Sequence, residues 1–137
     1  MKLCSTTCPF PEEDKIIFSN IQEVLSQLKE VNFSRQYDPD ITATPYILTR
    51  AFSEALGLEC VNGIFEDRDS SSWLKTANGN LIDLMPVGVF GDTPLLIHGR
   101  SSRAQSYKPK AKYANSTSVE ICIDRIKKTI IEKNNHH

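Results

Sequence analysis

Asp83 is the residue whose position in this sequence most clearly suggests chemistry. It interrupts the apolar run 81–85, where strand alternation would put it on the opposite face from its two neighbours. Burying a carboxylate without a partner is costly, so Asp83 should either line a pocket or have a dedicated hydrogen-bond partner. A second apolar run, 73–77, precedes it and begins with the single tryptophan, Trp73. These two runs are the elements that must position any functional group.

The segment between the two runs predicts a β-hairpin. Asn-Gly-Asn stands at 78–80, and Asn-Gly favours the positive φ angles of a tight turn. We expect antiparallel strands at 72–77 and 81–85, joined by this turn. Alternation then puts Ser72 and Trp73 on opposite faces of the sheet.

The remaining periodicities predict an α+β domain in which helices pack on an antiparallel β-sheet. The length of 137 residues suits a single domain, 1–137, with one hydrophobic core. Apolar residues recur at helical spacing in three places, and a Thr-x-x-Glu capping box opens the last of them. The predicted elements are helices at 11–31, 45–56 and 117–133, strands at 59–65, 72–77, 81–85, 87–90 and 95–98, a flexible arm at 1–10 and an extended basic loop at 99–116.

Four segments between residues 42 and 98 resemble small bacterial proteins of the transglutaminase-like branch of the papain-like superfamily. The resemblance implies a papain/transglutaminase-like core at 42–98. It also implies a site in which a strand histidine activates a cysteine at the start of the second helix, and an acid on the next strand orients the histidine. The segments are Ala-Phe-Ser-Glu-Ala-Leu-Gly-Leu at 51–58, Gly-Ile-Phe at 63–65, Ser-Trp-Leu at 72–74 and Asn-Leu-Ile-Asp-Leu-Met-Pro-Val at 80–87.

Only one of the three catalytic positions of that family is matched by residue type. Asp83 stands where the family has its acid, but Thr44 stands near the expected cysteine, and Ser71 and Ser72 stand where the histidine is expected. Serine cannot replace imidazole as a base near neutral pH. We therefore expect a catalytically degenerate domain that binds a peptide, a protein or a small molecule through a vestigial groove near Ser72 and Asp83. The candidate residues are Thr44, Ser72 and Asp83 for the vestigial site and Ser72, Trp73 and Asp83 for ligand binding, with Ser72 facing Asp83 across the hairpin.

Three alternatives stay open on the sequence. An active hydrolase or acyl-transferase could use Thr44, Ser72 and Asp83 as a noncanonical set. A small interaction or inhibitor protein could engage an anionic partner through the basic segment 100–112. Asp83 could also be purely structural, bonded to a neighbouring strand, a loop or Arg50.

Charge is distributed unevenly, although the net charge is only −1. Residues 1–97 carry 14 acidic and 7 basic side chains, whereas residues 98–137 carry 3 acidic and 9 basic ones. A near-neutral chain lacks the positive excess of a dedicated nucleic-acid-binding protein. The acid-free segment 100–112 is typical of a solvated loop that lies against the acidic half. No run is long and apolar enough to predict a membrane span or a signal peptide, so we expect a cytoplasmic protein.

The cysteines predict neither a metal site nor a cofactor. Cys4 and Cys8 lack the second pair of ligands that a zinc site of this kind needs. Cys60 and Cys122 lie among apolar neighbours, as small core residues do. The histidines at 136 and 137 are either metal ligands or the remnant of a purification tag, and the pattern favours the tag.

Overall fold

The structure is a computed structural model that describes residues 9–28, 45–67, 69–86, 94–110 and 117–134. Within these ranges it contains three α-helices, five β-strands and one short 3-10 helix. The helices are α1 (Glu12–Gln27), α2 (Pro45–Leu56) and α3 (Thr117–Asn134), the strands are β1 (Glu59–Phe65), β2 (Asp69–Lys75), β3 (Leu81–Asp83), β4 (Leu95–Ile97) and β5 (Tyr107–Pro109), and the 3-10 helix is Arg103–Ser106.

The five strands form one sheet in the order β4-β3-β2-β1-β5, and every neighbouring pair is antiparallel. The helices pack on one face of this sheet. The predicted α+β class, with helices on an antiparallel sheet, is therefore confirmed. No helix formed by the described residues is both long and apolar enough to span a bilayer.

The hairpin between β2 and β3 closes at the predicted turn. The Thr76 N–H donates to the Asn80 carbonyl oxygen at 2.9 Å, and Gly79 has a φ of 82°, which glycine adopts without strain. The predicted strand bounds are corrected, however, because β2 begins before 72 and β3 ends at Asp83. Beyond Asp83 the chain leaves the sheet, since the Met85 N–H bonds to the Asp83 carboxylate instead of to a strand.

Alternation along the strands divides the buried apolar side chains between two clusters. The helix-side core contains Leu74 and Ile82 of the hairpin together with Phe52 of α2 and Ile126 of α3. The outer core lies on the opposite face of the sheet. It consists of the buried side chains of Phe65, Trp73, Leu81, Ile97, Ala104 and Tyr107.

The prediction of an extended basic loop at 99–116 is corrected, because part of this segment is ordered on the sheet. β5 pairs with β1 as an edge strand, with Tyr107 opposite Phe65. The ring centroids of these two residues are 4.8 Å apart, and those of Tyr107 and Trp73 are 5.1 Å apart. Burial of the Tyr107 ring in the outer core holds this segment in place.

Other sequence expectations fall outside the described residues. These are the strand at 87–90, most of the arm at 1–10, the last turn of the first predicted helix beyond Leu28, and Thr44. The second predicted helix, Pro45–Leu56, is confirmed and ends at Gly57, whose φ is 73°.

Candidate functional site

Asp83 has the dedicated hydrogen-bond partners that its burial requires. Asp83 is only 2% exposed. The Tyr107 hydroxyl donates to Asp83 Oδ2 at 2.6 Å, and the Met85 N–H donates to Asp83 Oδ1 at 3.2 Å. Both carboxylate oxygens are therefore bonded within the protein.

The electrostatics of this pair keep Tyr107 as a donor. Burial raises the pKa of Asp83, although the bonds from Tyr107 and Met85 and the charge of Arg103 act in the opposite direction. Burial and the nearby Asp83 charge raise the pKa of Tyr107 above its usual range. The phenol thus stays protonated and holds the carboxylate.

Arg103 completes this arrangement from the 3-10 helix. Its Nε donates to the Tyr107 hydroxyl oxygen at 3.2 Å, and its guanidinium carbon lies 4.5 Å from the Phe65 ring centroid. Both contacts are favourable, the second as a cation–π interaction. One member of the basic segment, Arg103, is thus engaged in the fold.

The other described basic residues of this segment lie on the surface. Lys108 forms an ion pair with Asp67 at 2.9 Å. Arg100 and Lys110 are exposed and form no ion pair with a described residue.

Ser72 lies on the other face of the sheet from Asp83. The register places Leu74 opposite Ile82, so Ser72 shares their face while Asp83 shares the face of Trp73. The Ser72 hydroxyl donates to Asn62 Oδ1 at 2.8 Å. The expectation that Ser72 faces Asp83 is therefore wrong. By the same alternation it is Ser71, also buried, that shares the Asp83 face.

A small polar cluster surrounds Ser72. The Thr49 hydroxyl on α2 lies 3.4 Å from the Ser72 carbonyl oxygen, and the Cys60 thiol lies 3.9 Å from Asn62 Oδ1. Burial raises the pKa of the Cys60 thiol, and a thiol in this state reacts slowly. The cluster offers hydroxyl and amide groups, and none of these can act as a base.

The remaining candidates of the sequence have the following positions. Trp73 is only 3% exposed and packs edge-on against Tyr107 within the outer core. Arg50, considered as a partner for Asp83, pairs instead with Glu54 at 2.8 Å and with Glu120 at 3.9 Å. Among the described residues, no group of three or more His, Cys, Asp or Glu side chains is arranged to hold a metal ion.

Asp14 is a buried residue that sequence reasoning missed. It lies in the first turn of α1, is fully buried and accepts three hydrogen bonds from the hairpin turn. The donors are Thr76 Oγ1 at 2.9 Å, Asn78 Nδ2 at 3.0 Å and Asn80 Nδ2 at 2.6 Å. An acid in the first turn of a helix is common because it suits the positive end of the helix dipole, so the sequence position of Asp14 offered no reason to expect its burial. The available signal was the cluster of donors at every second position, 76, 78 and 80.

A groove of about 640 Å³ opens beside this turn, and we call it the hairpin groove. Residues just before α1, the turn itself and residues just after β4 line it. His98 is half-buried in its wall, with the ring centroid 5.6 Å from that of Phe10. The Arg100 N–H donates to His98 Nδ1 at 3.2 Å. The lining residues are Pro9, Phe10, Pro11, Asn78, Gly79, Asn80, His98, Gly99 and Arg100.

The chain matches no protein-family model, and no similar curated protein or solved structure was found. The fold and the site define an α+β domain whose sheet carries the buried Asp83 and Tyr107 with the half-buried Arg103 on one face and its helices on the other.

Proposed function

We propose that this chain is a catalytically inactive domain with a papain- or transglutaminase-like core, and that it acts by binding a protein or peptide. The observation that carries the proposal is the hydrogen bond from the Tyr107 hydroxyl to Asp83 Oδ2. In the catalytic arrangement of that superfamily, the acid orients a histidine that serves as the base. Here the Tyr107 phenol is bonded to Asp83 in place of a histidine.

The Tyr107 phenol cannot take over the role of the histidine. A general base must accept a proton near the working pH, and the pKa of Tyr107 is raised above its usual range by burial and by Asp83. The histidine within the described residues, His98, accepts the Arg100 N–H and packs on Phe10 instead. Asp83 thus has a structural role on the sheet.

The alternative enzyme with Thr44, Ser72 and Asp83 gains no support from the geometry. Ser72 and Asp83 lie on opposite faces of the sheet, and the Ser72 hydroxyl donates to an amide oxygen, which is not a base. The alternative of an anionic partner for the segment 100–112 is weakened too, since Arg103 bonds to Tyr107 and Lys108 forms a surface ion pair with Asp67.

Assays of the full chain for peptide hydrolysis and for incorporation of a fluorescent amine into a glutamine-containing protein test the absence of catalysis. We expect the wild type, Asp83→Asn and Tyr107→Phe all to give the rate of the protein-free blank. Asp124→Asn is a matched control, because this acid is exposed and lies on α3. Turnover by the wild type that is lost in Asp83→Asn and kept in Asp124→Asn would overturn the proposal.

A further inference from the structure

We propose that the hairpin groove binds a peptide carboxylate, which is either a chain terminus or an acidic side chain of the partner. This inference deepens the proposed function and rests on it, since it assigns a place and a ligand class to the binding. It stands on the groove, on the orientation of His98 and on the exposed charge of Arg100.

The hydrogen bond at His98 determines which ring nitrogen can serve a ligand. Nδ1 accepts the Arg100 N–H, so a neutral imidazole in this position carries its proton on Nε2. The ring is held by its contact with Phe10, which fixes its orientation. Nε2–H is accordingly a preorganised donor in the wall of the groove.

Arg100 supplies the positive charge. It is exposed and forms no ion pair with another residue in the part of the chain that the structure describes. A guanidinium binds a carboxylate through two parallel hydrogen bonds, which are stronger than bonds between neutral groups. His98 and Arg100 are two residues apart and line the same groove, so both can reach one ligand.

Negative side chains also lie behind the groove, and they determine how an anion can be held there. The Asp14 carboxylate lies beneath Asn78 and Asn80, and its hydrogen-bond donors in the described part of the chain are all neutral, so no cation of that part cancels its charge. Glu12 and Glu13 add two further charges at the start of α1. These charges repel any anion, so a carboxylate in the groove is held by its direct contacts with His98 and Arg100.

The groove also has an apolar part that suits a peptide. Pro9, Phe10 and Pro11 form one side of it, opposite the Asn-Gly turn. Its volume of about 640 Å³ is sufficient for one or two residues of a peptide. An apolar side chain next to the bound carboxylate would contact Phe10.

An NMR titration of the 15N-labelled full chain tests the proposal with three blocked peptides. These are N-acetyl-alanyl-phenylalanine with a free carboxylate, its C-terminal amide, and N-acetyl-glutamyl-phenylalanine amide. We expect the free acid, the glutamyl peptide or both to shift the amide signals of Gly79, Gly99 and Arg100, and the plain amide to shift none of them. The first and third peptides distinguish a chain terminus from an acidic side chain.

Substitutions locate the binding. His98→Ala and Arg100→Gln should each weaken the binding of the better acidic peptide about tenfold, as expected for the loss of a hydrogen bond to a charged group. Lys110→Gln is the matched control, because this exposed cation lies outside the groove, and its affinity should equal that of the wild type. Arg100 is exposed, so its replacement leaves the fold intact even if His98→Ala disturbs Phe10.

Several results would overturn the proposal. They are equal shifts with the plain amide, no shifts with any of the three peptides, tighter binding of inorganic phosphate, and unchanged affinity in both groove variants. Binding of an acidic peptide elsewhere on the surface would contradict the assignment of the hairpin groove but not the proposed function. Catalytic turnover by the wild type would instead contradict the proposed function, which is that of an inactive domain.

Discussion

At the scale of single residues, Asp83 is the group whose environment has a measurable signature. Burial raises its pKa above 3.8, the ordinary value for an aspartate in water. A group whose pKa is higher in the folded state stabilises the fold when protonated. This contribution is complete below about pH 3.8 and is lost as the pH rises through the higher folded-state pKa.

We predict that the stability of the wild type relative to Asp83→Asn improves as the pH falls from 7 toward 4. Asparagine has no charge to lose, so it removes this pH dependence. Urea unfolding followed by Trp73 fluorescence at several pH values measures the difference in the free energy of unfolding. Asp124→Asn controls for the effect of one surface charge. A difference that is constant with pH, or that changes in the opposite direction, would contradict the raised pKa.

The sequence correctly predicted that a buried Asp83 needs a partner, but it did not identify Tyr107 as that partner, and the reason is physical. The cost of burying a carboxylate is a local property, so a need for a partner could be inferred from the apolar run around it. The partner itself, Tyr107, lies 24 positions further along the chain. Only the pairing of β5 with β1 brings it close, and that pairing has no local signal.

At the scale of elements, the contact between β1 and β5 depends on Gly63. A Cβ atom at this position would overlap the carbonyl oxygen of Lys108 and would lie 2.8 Å from Trp73 Cη2. The first neighbour is backbone and the second is a packed ring, so neither can move aside easily. β5 can approach this closely because residue 63 has no side chain.

We predict that Gly63→Ala lowers the free energy of unfolding by about 2–3 kcal/mol or more, as overpacking does, and changes the fluorescence of Trp73. Gly57→Ala is the control, because its Cβ would meet nothing within 4 Å and only its φ of 73° is strained. That variant should lose about 1–2 kcal/mol with unchanged Trp73 fluorescence. Unchanged stability and fluorescence in Gly63→Ala would mean that β5 is not held against β1.

The elements also show what a single sequence can reveal. The hairpin was predictable because Asn-Gly specifies its own turn, and the end of α2 was predictable because Gly57 is free to adopt a positive φ. β5 was not, since three residues are too few for a recognisable alternation and its surroundings are basic and polar. The prediction that Ser72 and Asp83 share a face of the sheet was wrong. It rested on the strand register implied by a family likeness and not on the chain itself, and the register fixes the face of every residue on a strand at once.

At the scale of the whole molecule, the sheet has a core on each face, and both should contribute to stability. Trp73 is 3% exposed in the outer core, and Ile126 is 1% exposed in the helix-side core. We predict that Trp73→Ala and Ile126→Ala each lower the free energy of unfolding by about 2–5 kcal/mol. Lys128→Ala is the control, because its side chain is 75% exposed, and it should stay within about 0.5 kcal/mol of the wild type.

Urea unfolding followed by circular dichroism measures all three variants, since one of them lacks the tryptophan. A large loss for Ile126→Ala with none for Trp73→Ala would mean that the outer core does not stabilise the domain. The Trp73 indole would then be better explained as part of a binding surface.

The bonds between Asp14 and the hairpin turn have a consequence for how the chain is made. On the ribosome, α1 emerges well before its partners, because Thr76 and Asn80 follow Asp14 by 62 and 66 positions. Until the turn has emerged and closed, the acid has none of its three donors and stays in water. The apolar face of α1 meanwhile lacks its contacts with α3, which begins only at Thr117. Although α1 is synthesised before α3, it can dock only after α3 has emerged, so nascent chains should expose the apolar face of α1 to chaperones until then.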